Sequence, residues 1–521
     1  MMKIMLVIQL VTALCAACLA MRYNMHMFQL NGYKNTEHIS WMKKNIRKQG
    51  LLLAGFLAGL LAAVFPHGVT AFILLICTLV TIWYYRLLKR NNTKKKLVYT
   101  NRVKRLIITN GALSLLMAAV LYGLGGQKGL WAACGLVLLC QEFFLLPSNI
   151  INSPIEKGIN RHYINDAKKR LQDSRQLTII GITGSYGKTS VKYFLNTLLQ
   201  SRFNVLMTPA SYNTPMGVVK TIRGSLKPSH EIFICEMGAR HVGDIKEICD
   251  IVHPDHGIIT SIGPQHLETF FNMDNIKSTK FELADALPKD GMLFLNGDNS
   301  YINDHIKEKG RQYESCIFYG SKGYQASDIK LSQLGTEFRV TAPDGETEQF
   351  QMRLIGSHNV VNVVGAIAVS HKLGIALKDL KVPVRRIQSV EHRMKILDKG
   401  PVTIIDDAFN SNPAGSKAAV ETLAMFDGVR ILITPGMVEL GAEEERYNYE
   451  FGGYAAACCD YIALVGKKHT EPIRKGIQES GFAMDKCQTV EKLEEALTWA
   501  YAIKEDGHKY ILLENDLPDN Y

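Results

Sequence analysis

Hydrophobic positions follow two regimes along the chain. Up to about residue 150 they form long runs, roughly 3–21, 50–65, 68–85, 106–126 and 129–146. Beyond that point, short apolar runs alternate with segments whose apolar positions recur every three or four residues. Runs of the first kind suit helices crossing a hydrocarbon layer ~30 Å thick, the second run being short. The second regime is the strand–helix alternation of an α/β protein. The pattern therefore predicts a multispan α-helical membrane region of about five helices over 1–150. It then predicts a mostly parallel sheet domain over 172–394 and a smaller, doubly wound, Rossmann-like domain over 395–521. Strands of the last domain are expected at 402–407, 430–434, 460–465 and 509–513.

Charge gives this picture a direction. The net charge is +11, and much of the excess lies between the apolar runs. Arg22, Lys34, Lys43, Lys44, Arg47 and Lys48 follow the first run. Arg86, Lys89, Arg90, Lys94, Lys95, Lys96, Arg102, Lys104 and Arg105 follow the third. The turns at Pro66-His67-Gly68 and Gly126-Gln127-Lys128 carry almost none. Basic loops stay on the cytoplasmic side. Five spans then put the N-terminus outside and everything after about 147 inside, where ATP is found. The expected location is the cytoplasmic membrane, multi-pass, with the soluble domains on its inner face. A cleaved signal peptide is the competing reading of the first run, but its polar n-region is nearly absent and further apolar runs follow. No aromatic-plus-basic pattern accompanies the charge, so nucleic acid is not an expected partner. The eleven cysteines are scattered. Cys15 and Cys18 sit inside an apolar run, Cys458 and Cys459 are adjacent, and no spacing resembles a zinc site. The lack of a disulfide pattern fits a reducing compartment.

Candidate chemistry begins at "GITGSYGKTS" (181–190), after the apolar run 177–180 and before an amphipathic helix. Gly184 and Gly187 let backbone amides approach phosphate oxygens, and the helix N-terminus adds its positive dipole end. Lys188 can neutralise phosphate charge, Thr189 can hold Mg²⁺, and Ser190 completes the motif. The strict phosphate-loop pattern would place glycine at 182, where Ile182 stands. Glu236 ends the apolar run "EIFICE", a suitable strand tip for a metal-binding carboxylate. Asn359 and Asn362 share a helix face and can present amides to a base, although Ser357 or Asn359 could equally cap that helix. Asp407 follows the strand "VTIID", where ligands gather in open α/β sheets.

The loop resembles the variant seen in the Mur ligases and their relatives, the folylpolyglutamate and poly-γ-glutamate synthases. Further stretches agree in order: "SYNTPMGVVKTI", "EMGARHVGDI", "TSIGPQHLETF", "KSTKFEL", "LNGDNS", "GSHNVVNVVGAIAV", "EHRMK", "IDDAFNSNPAGS" and "MVELG". Together they are similar to the D-alanyl-D-alanine-adding branch over roughly 175–450. The resemblance implies an ATP-dependent, ADP-forming amide ligase working through an acyl phosphate, with a muramoyl-peptide or other carboxylate acceptor and an amino-acid or dipeptide donor. It implies ATP and two Mg²⁺ ions. Thr189 would serve one ion, and Glu236 with His266 the other. Lys280 would be carbamylated beside the metals. Lys188, Lys280, His266 and Arg393 would carry catalysis. Asn359 and Asn362 would meet the adenine, Arg393 the phosphates, Asp407 the ribose, and Asn213 and Thr214 the substrate.

Three departures bear on the substrates. Membrane-like runs occupy the place where a uridine-nucleotide-gripping domain usually stands. Asn213-Thr214 replaces an Asn-Asn pair. An acidic "LLENDLPDNY" replaces a lysine-containing "KGSR". Two readings therefore stand beside the alanyl-alanine-adding one. The first is a ligase acting on a membrane-bound acceptor, such as a lipid-linked muropeptide or a poly-γ-glutamate-like chain. The second is a nucleotide-binding membrane scaffold. The lipid bilayer is an expected partner, with cell-wall synthesis enzymes as further candidates.

Overall fold

A computed structural model describes residues 2–44, 50–65, 68–90, 96–174, 176–309, 316–332, 335–409 and 411–516. Arg47, Lys48, Lys94, Lys95, the Pro66-His67 turn and the tail after 516 lie outside the described residues. The described residues divide into two compact units, one up to His162 and one from Tyr163 to Asp516.

The first unit is helical, with helices Met2–Leu30, Asn35–Lys44, Gly50–Val64, Gly68–Arg90, Asn101–Gly125, Gln127–Phe143 and the start of Leu145–Asp173. Three described segments are long and apolar enough to cross a membrane, namely Lys3–Leu30, Gly68–Arg86 and Asn101–Gly125. Two of the five expected spans fall on shorter described helices. Gly50–Val64 has 15 residues and Gln127–Phe143 has 17, lengths of roughly 22 and 25 Å at 1.5 Å per residue, short of ~30 Å. These two short helices pack on each other through glycine. A Cβ on Gly59 would lie 2.7 Å from the Gly135 Cα, so only small residues permit this crossing. Ala58, Ala62, Trp131 and Cys134 fill the surrounding core.

The second unit holds two sheets. The larger comprises β1 (Thr178–Thr183), β2 (Val205–Met207), β3 (Ile232–Glu236), β4 (His256–Ile259), β5 (Leu293–Asn296), β6 (Ile317–Gly320), β7 (Tyr324–Ser332), β8 (Gly335–Thr341) and β9 (Thr347–Met352). Their order is β2-β3-β1-β4-β5-β6-β7-β8-β9. Pairing is parallel from β2 through β7 and antiparallel across β7, β8 and β9. The central strands are apolar at nearly every position because helices cover both faces. The helix after β1, Lys188–Leu199, buries Val191, Phe194, Leu195, Leu198 and Leu199, a stripe of helical period. It packs against the helix Ser357–Lys372.

The smaller sheet comprises β10 (Lys395–Asp398), β11 (Val402–Asp407), β12 (Val429–Thr434), β13 (Tyr461–Val465), β14 (Cys487–Val490) and β15 (Lys509–Glu514). The order is β10-β11-β15-β12-β13-β14, with only β10 antiparallel to its neighbour. All four strands expected in this region are present. The short strands β10 and β14 have too few alternating positions to stand out in the sequence.

Candidate active site

The site grows from the turn between β1 and its helix. Gly184 has φ 148° and Gly187 φ 80°, values that disfavour a Cβ. At Gly187 a Cβ would also lie 2.8 Å from the Asn362 Oδ1, so the second asparagine of the helix Ser357–Lys372 packs directly on the loop. Inside the loop, Lys188 Nζ donates to the Gly184 carbonyl at 2.6 Å and the Ser185 carbonyl at 3.0 Å. Burial, reinforced by Arg393 and only partly opposed by Glu236, lowers its pKa to about 8. A desolvated ammonium with no carboxylate in contact among the described residues favours an anion beside it. Ser190 occupies the first turn of the same helix.

Glu236, at the tip of β3, is 1% exposed. Its Oε1 accepts from Thr189 Oγ1 at 3.1 Å and from Asn213 Nδ2 at 3.0 Å. Its Oε2 pairs with Lys192 Nζ at 2.9 Å. Burial would raise this carboxyl, but Lys192 and Lys188 outweigh burial and its pKa is lowered. Hard oxygen donors from Thr189 and Glu236 beside a phosphate loop suit Mg²⁺, and Lys188 suits the phosphates, so the residues present fit a magnesium nucleotide. Thr214, by contrast, caps the helix Pro215–Ser225, accepting from Gly217 N at 3.3 Å. Asn213 faces the site and its neighbour does not share that contact.

His266 has a partner that the sequence did not suggest. Its Nδ1 is bonded to Glu439 Oε2, which engages one of its two ring nitrogens. Glu439 also takes Arg240 Nη2 at 3.4 Å. Both ends of the His266–Glu439 contact are non-glycine residues at positive φ, 52° and 65°, conformations held only where the surroundings impose them. Burial lowers the His266 pKa, and Glu439 only partly restores it. Lys280 is 2% exposed. Its Nζ lies 5.8 Å from the Phe270 ring centre and bonds to none of the described residues. Burial, then the charge of Lys188, pushes its pKa well below the usual lysine value.

On the nucleotide side, Asn359 Nδ2 is committed to the Ile355 carbonyl at 2.7 Å. Its amide oxygen and second N–H remain for a base, and the helix N-cap is Gly356 rather than Ser357 or Asn359. His358 is desolvated, with its pKa lowered to about 4 by burial and Arg393. The Arg393 guanidinium stacks 4.5 Å above Phe409 within range of Asp407, Glu236 and Glu514. Asp407 accepts from Met394 N at 3.0 Å. Parallel pairing of β11 with β15 sets Asp407 beside Glu514. Burial and the facing Asp407 hold Glu514 well above the carboxylate range. Ser411 Oγ donates to Glu514.

The arrangement thus brings together Lys188, Thr189, Glu236, Asn213 and Asn362, and separately Arg393 and Asp407. Sequence reasoning missed Lys192, Glu439 and Glu514. One signal was available for the first. Lys192 stands in register with Leu195 and Leu199, on the apolar stripe, where an unpaired lysine would be costly.

Comparison with known proteins agrees with this geometry. Residues 182–370 match the Mur ligase middle domain and residues 392–513 the Mur ligase glutamate ligase domain. The UDP-N-acetylmuramoyl-tripeptide–D-alanyl-D-alanine ligase of Escherichia coli is 30% identical over 306 residues, 58% of this chain and 67% of that enzyme. The chain belongs to the Mur ligase family. The Bacillus subtilis ligase of the same name is 30% identical over 278 residues, 53% of this chain and 59% of that one. The chain therefore spans about 59–67% of the length of these two relatives. The MurF ligase of Thermotoga maritima, solved with ADP, superposes with a TM-score of 0.61 at 23% identity, covering 68% of this chain and 80% of that one. This Mur ligase thus shares the α/β fold, with mixed sheets, of solved family members.

Proposed function

We propose that this Mur ligase joins an amine to a carboxylate at the expense of ATP, and that its substrates are a muramoyl-peptide acceptor and D-alanyl-D-alanine. The names of its relatives point to those substrates. The observation that carries the reading is the Glu236 carboxylate, held at once by Thr189 of the phosphate loop and by Asn213 of the 208–214 loop. One carboxylate so placed links the nucleotide side to the substrate side.

In this reading the acceptor carboxylate attacks the γ-phosphate of ATP. The bond to the β-γ bridging oxygen breaks and ADP leaves. The amine then attacks the carbonyl of the acyl phosphate, loses a proton and expels phosphate. Both steps gather negative charge, and fixed cations lower such barriers more than a nucleophile would. Lys188 meets the phosphates from the loop. Arg393 reaches them from the start of the smaller sheet, with Asp407 and Glu514 setting its local field. Asn362 and the remaining amide groups of Asn359 face the base. Mg²⁺ bound through Thr189 and Glu236 would neutralise phosphate charge. His266 serves as a latch through Glu439, drawing the loop before the helix Met273–Asp285 to the "MVELG" loop. Lys280 has a buried amine whose pKa is pushed down by burial and Lys188, which favours the free amine that carbamylation by CO₂ requires, and a carbamate there would add an anion near the metal.

The three span-length helices favour a second reading, a membrane-held acceptor. Anchoring raises the effective concentration of anything confined to the same layer. The test offers full-length protein in lipid either uridine-linked tripeptide or lipid-linked muropeptide, with ATP and D-alanyl-D-alanine. Dipeptide-dependent ADP release with the soluble acceptor alone leaves the helices as a tether. Release only with the lipid-linked acceptor establishes the second reading.

A further inference from the structure

Lys192 is wholly buried, carries a charge and has no part in the chemistry described so far. It lies one helical turn after Lys188, on the core-facing side of the phosphate-loop helix. Its Nζ forms an ion pair to Glu236 Oε2 at 2.9 Å and a hydrogen bond to the Ala210 carbonyl, and lies 5.0 Å from the Tyr193 ring centre. Ala210 is a non-glycine residue at φ 43° in the loop that ends at Asn213. That loop is also tied to β3 and its end by backbone and side-chain bonds, among them Thr208 N donating to the Ile234 carbonyl at 3.0 Å. Glu236 N donates to Thr208 Oγ1 at 3.1 Å, Gly238 N to the Asn213 carbonyl at 2.8 Å, and Asn213 Nδ2 to Glu236 Oε1.

We propose that Lys192 is the resident counter-ion of Glu236, a positioning residue that keeps the metal-binding carboxylate charge-paired and aimed at Thr189 and Asn213 before any divalent cation arrives. The proposal rests on Glu236 serving the metal. Two buried charges in contact stabilise little in net terms, whereas removing one of them leaves the other stranded at high cost. A carboxylate reserved for a metal that arrives with its substrate faces that stranding in every turnover. Lys192 removes it by holding Oε2 and leaving Oε1 toward the phosphate loop. Its second bond, to Ala210, fixes the 208–214 loop in the same act. The nucleotide-side carboxylate and the substrate-side loop are therefore set by one ammonium.

The test compares the unfolding midpoint of full-length wild type, Lys192→Met and Lys192→Met/Glu236→Gln, each with EDTA and with Mg²⁺ but no nucleotide. Wild type should differ by about 1 °C or less between the two conditions. Lys192→Met should fall by on the order of 10 °C in EDTA and regain at least half of that in Mg²⁺, because the cation replaces the lost charge. The double variant has no charge to strand. It should stand near wild type and ignore Mg²⁺. If Lys192→Met does not fold in EDTA, a folded double variant supports the counter-ion role, and a double variant that also fails to fold overturns it. A Lys192→Met midpoint equal to wild type in EDTA, no gain with Mg²⁺, or a double variant no more stable than the single one would each overturn it too. The last result would assign Lys192 to holding Ala210 alone.

Discussion

The Lys188 ammonium should imprint itself on the pH dependence of stability in the nucleotide-free protein. Its pKa is lowered from the ordinary 10.5 to about 8, chiefly by burial. Below pH 8 the side chain is charged in both the folded and unfolded states, and the cost of burying that charge is fully present. Above 10.5 it is neutral in both. Between these values the folded state sheds its proton first, the unfolded chain binds more protons, and stability rises with pH. The whole gain is on the order of 3 kcal/mol, at no more than about 1.4 kcal/mol per pH unit. Cysteines and tyrosines titrate in the same window, so the informative quantity is the difference from Lys188→Met. The assay is denaturant unfolding of both proteins in EDTA at intervals from pH 7 to 10.5. Wild type should gain on Lys188→Met across the upper part of that range. ATP should bind more weakly to wild type as pH rises past 8, because phosphate favours the protonated lysine. Parallel stability curves for the two proteins would refute the reasoning, since Lys188 would then carry no unpaired desolvated charge.

Three further outcomes follow from the same geometry. Glu439→Gln removes the charge shared by His266 and Arg240. Losing such a charge-assisted bond costs roughly 1.5–3 kcal/mol, so ligase turnover should fall at least tenfold while nucleotide affinity stays within twofold; unchanged turnover would exclude the latch. Lys280→Ala should lose activity and regain part of it in added short carboxylates, and full activity without any additive would exclude an anion at that position. A reporter fused after Tyr521 should show cytoplasmic activity only, and activity on the outer side would overturn the orientation read from the basic loops.

Local pattern made much of this protein legible. The phosphate loop, the carboxylate at the tip of β3 and Asp407 at the end of β11 each sit where a strand stops and a turn begins, which a window of ten residues reveals. What escaped depends on distant partners. His266 was read as a metal ligand from the order of the motifs, and its partner Glu439, 173 residues away, was not legible. Glu514 read as part of an acidic tail until the β11–β15 register placed it against Asp407. Hydropathy marks the apolar helices 50–64 and 127–143 but gives no sign of the Gly59–Gly135 approach that packs them together. Thr214 was taken with Asn213 as a pair, although an Asn-Thr-Pro sequence at a helix start is a capping signature.

The central claim is that the acceptor carboxylate takes the γ-phosphoryl group before the amine arrives. Its most direct test uses acceptor labelled with oxygen-18 in the reacting carboxylate, incubated with full-length protein, ATP, Mg²⁺ and D-alanyl-D-alanine, followed by mass analysis of the phosphate released. Ligation through an acyl phosphate predicts one labelled oxygen in each phosphate and one ADP per amide formed. Unlabelled phosphate accompanying dipeptide-dependent ADP, or no such ADP with either soluble or lipid-linked acceptor, would contradict it.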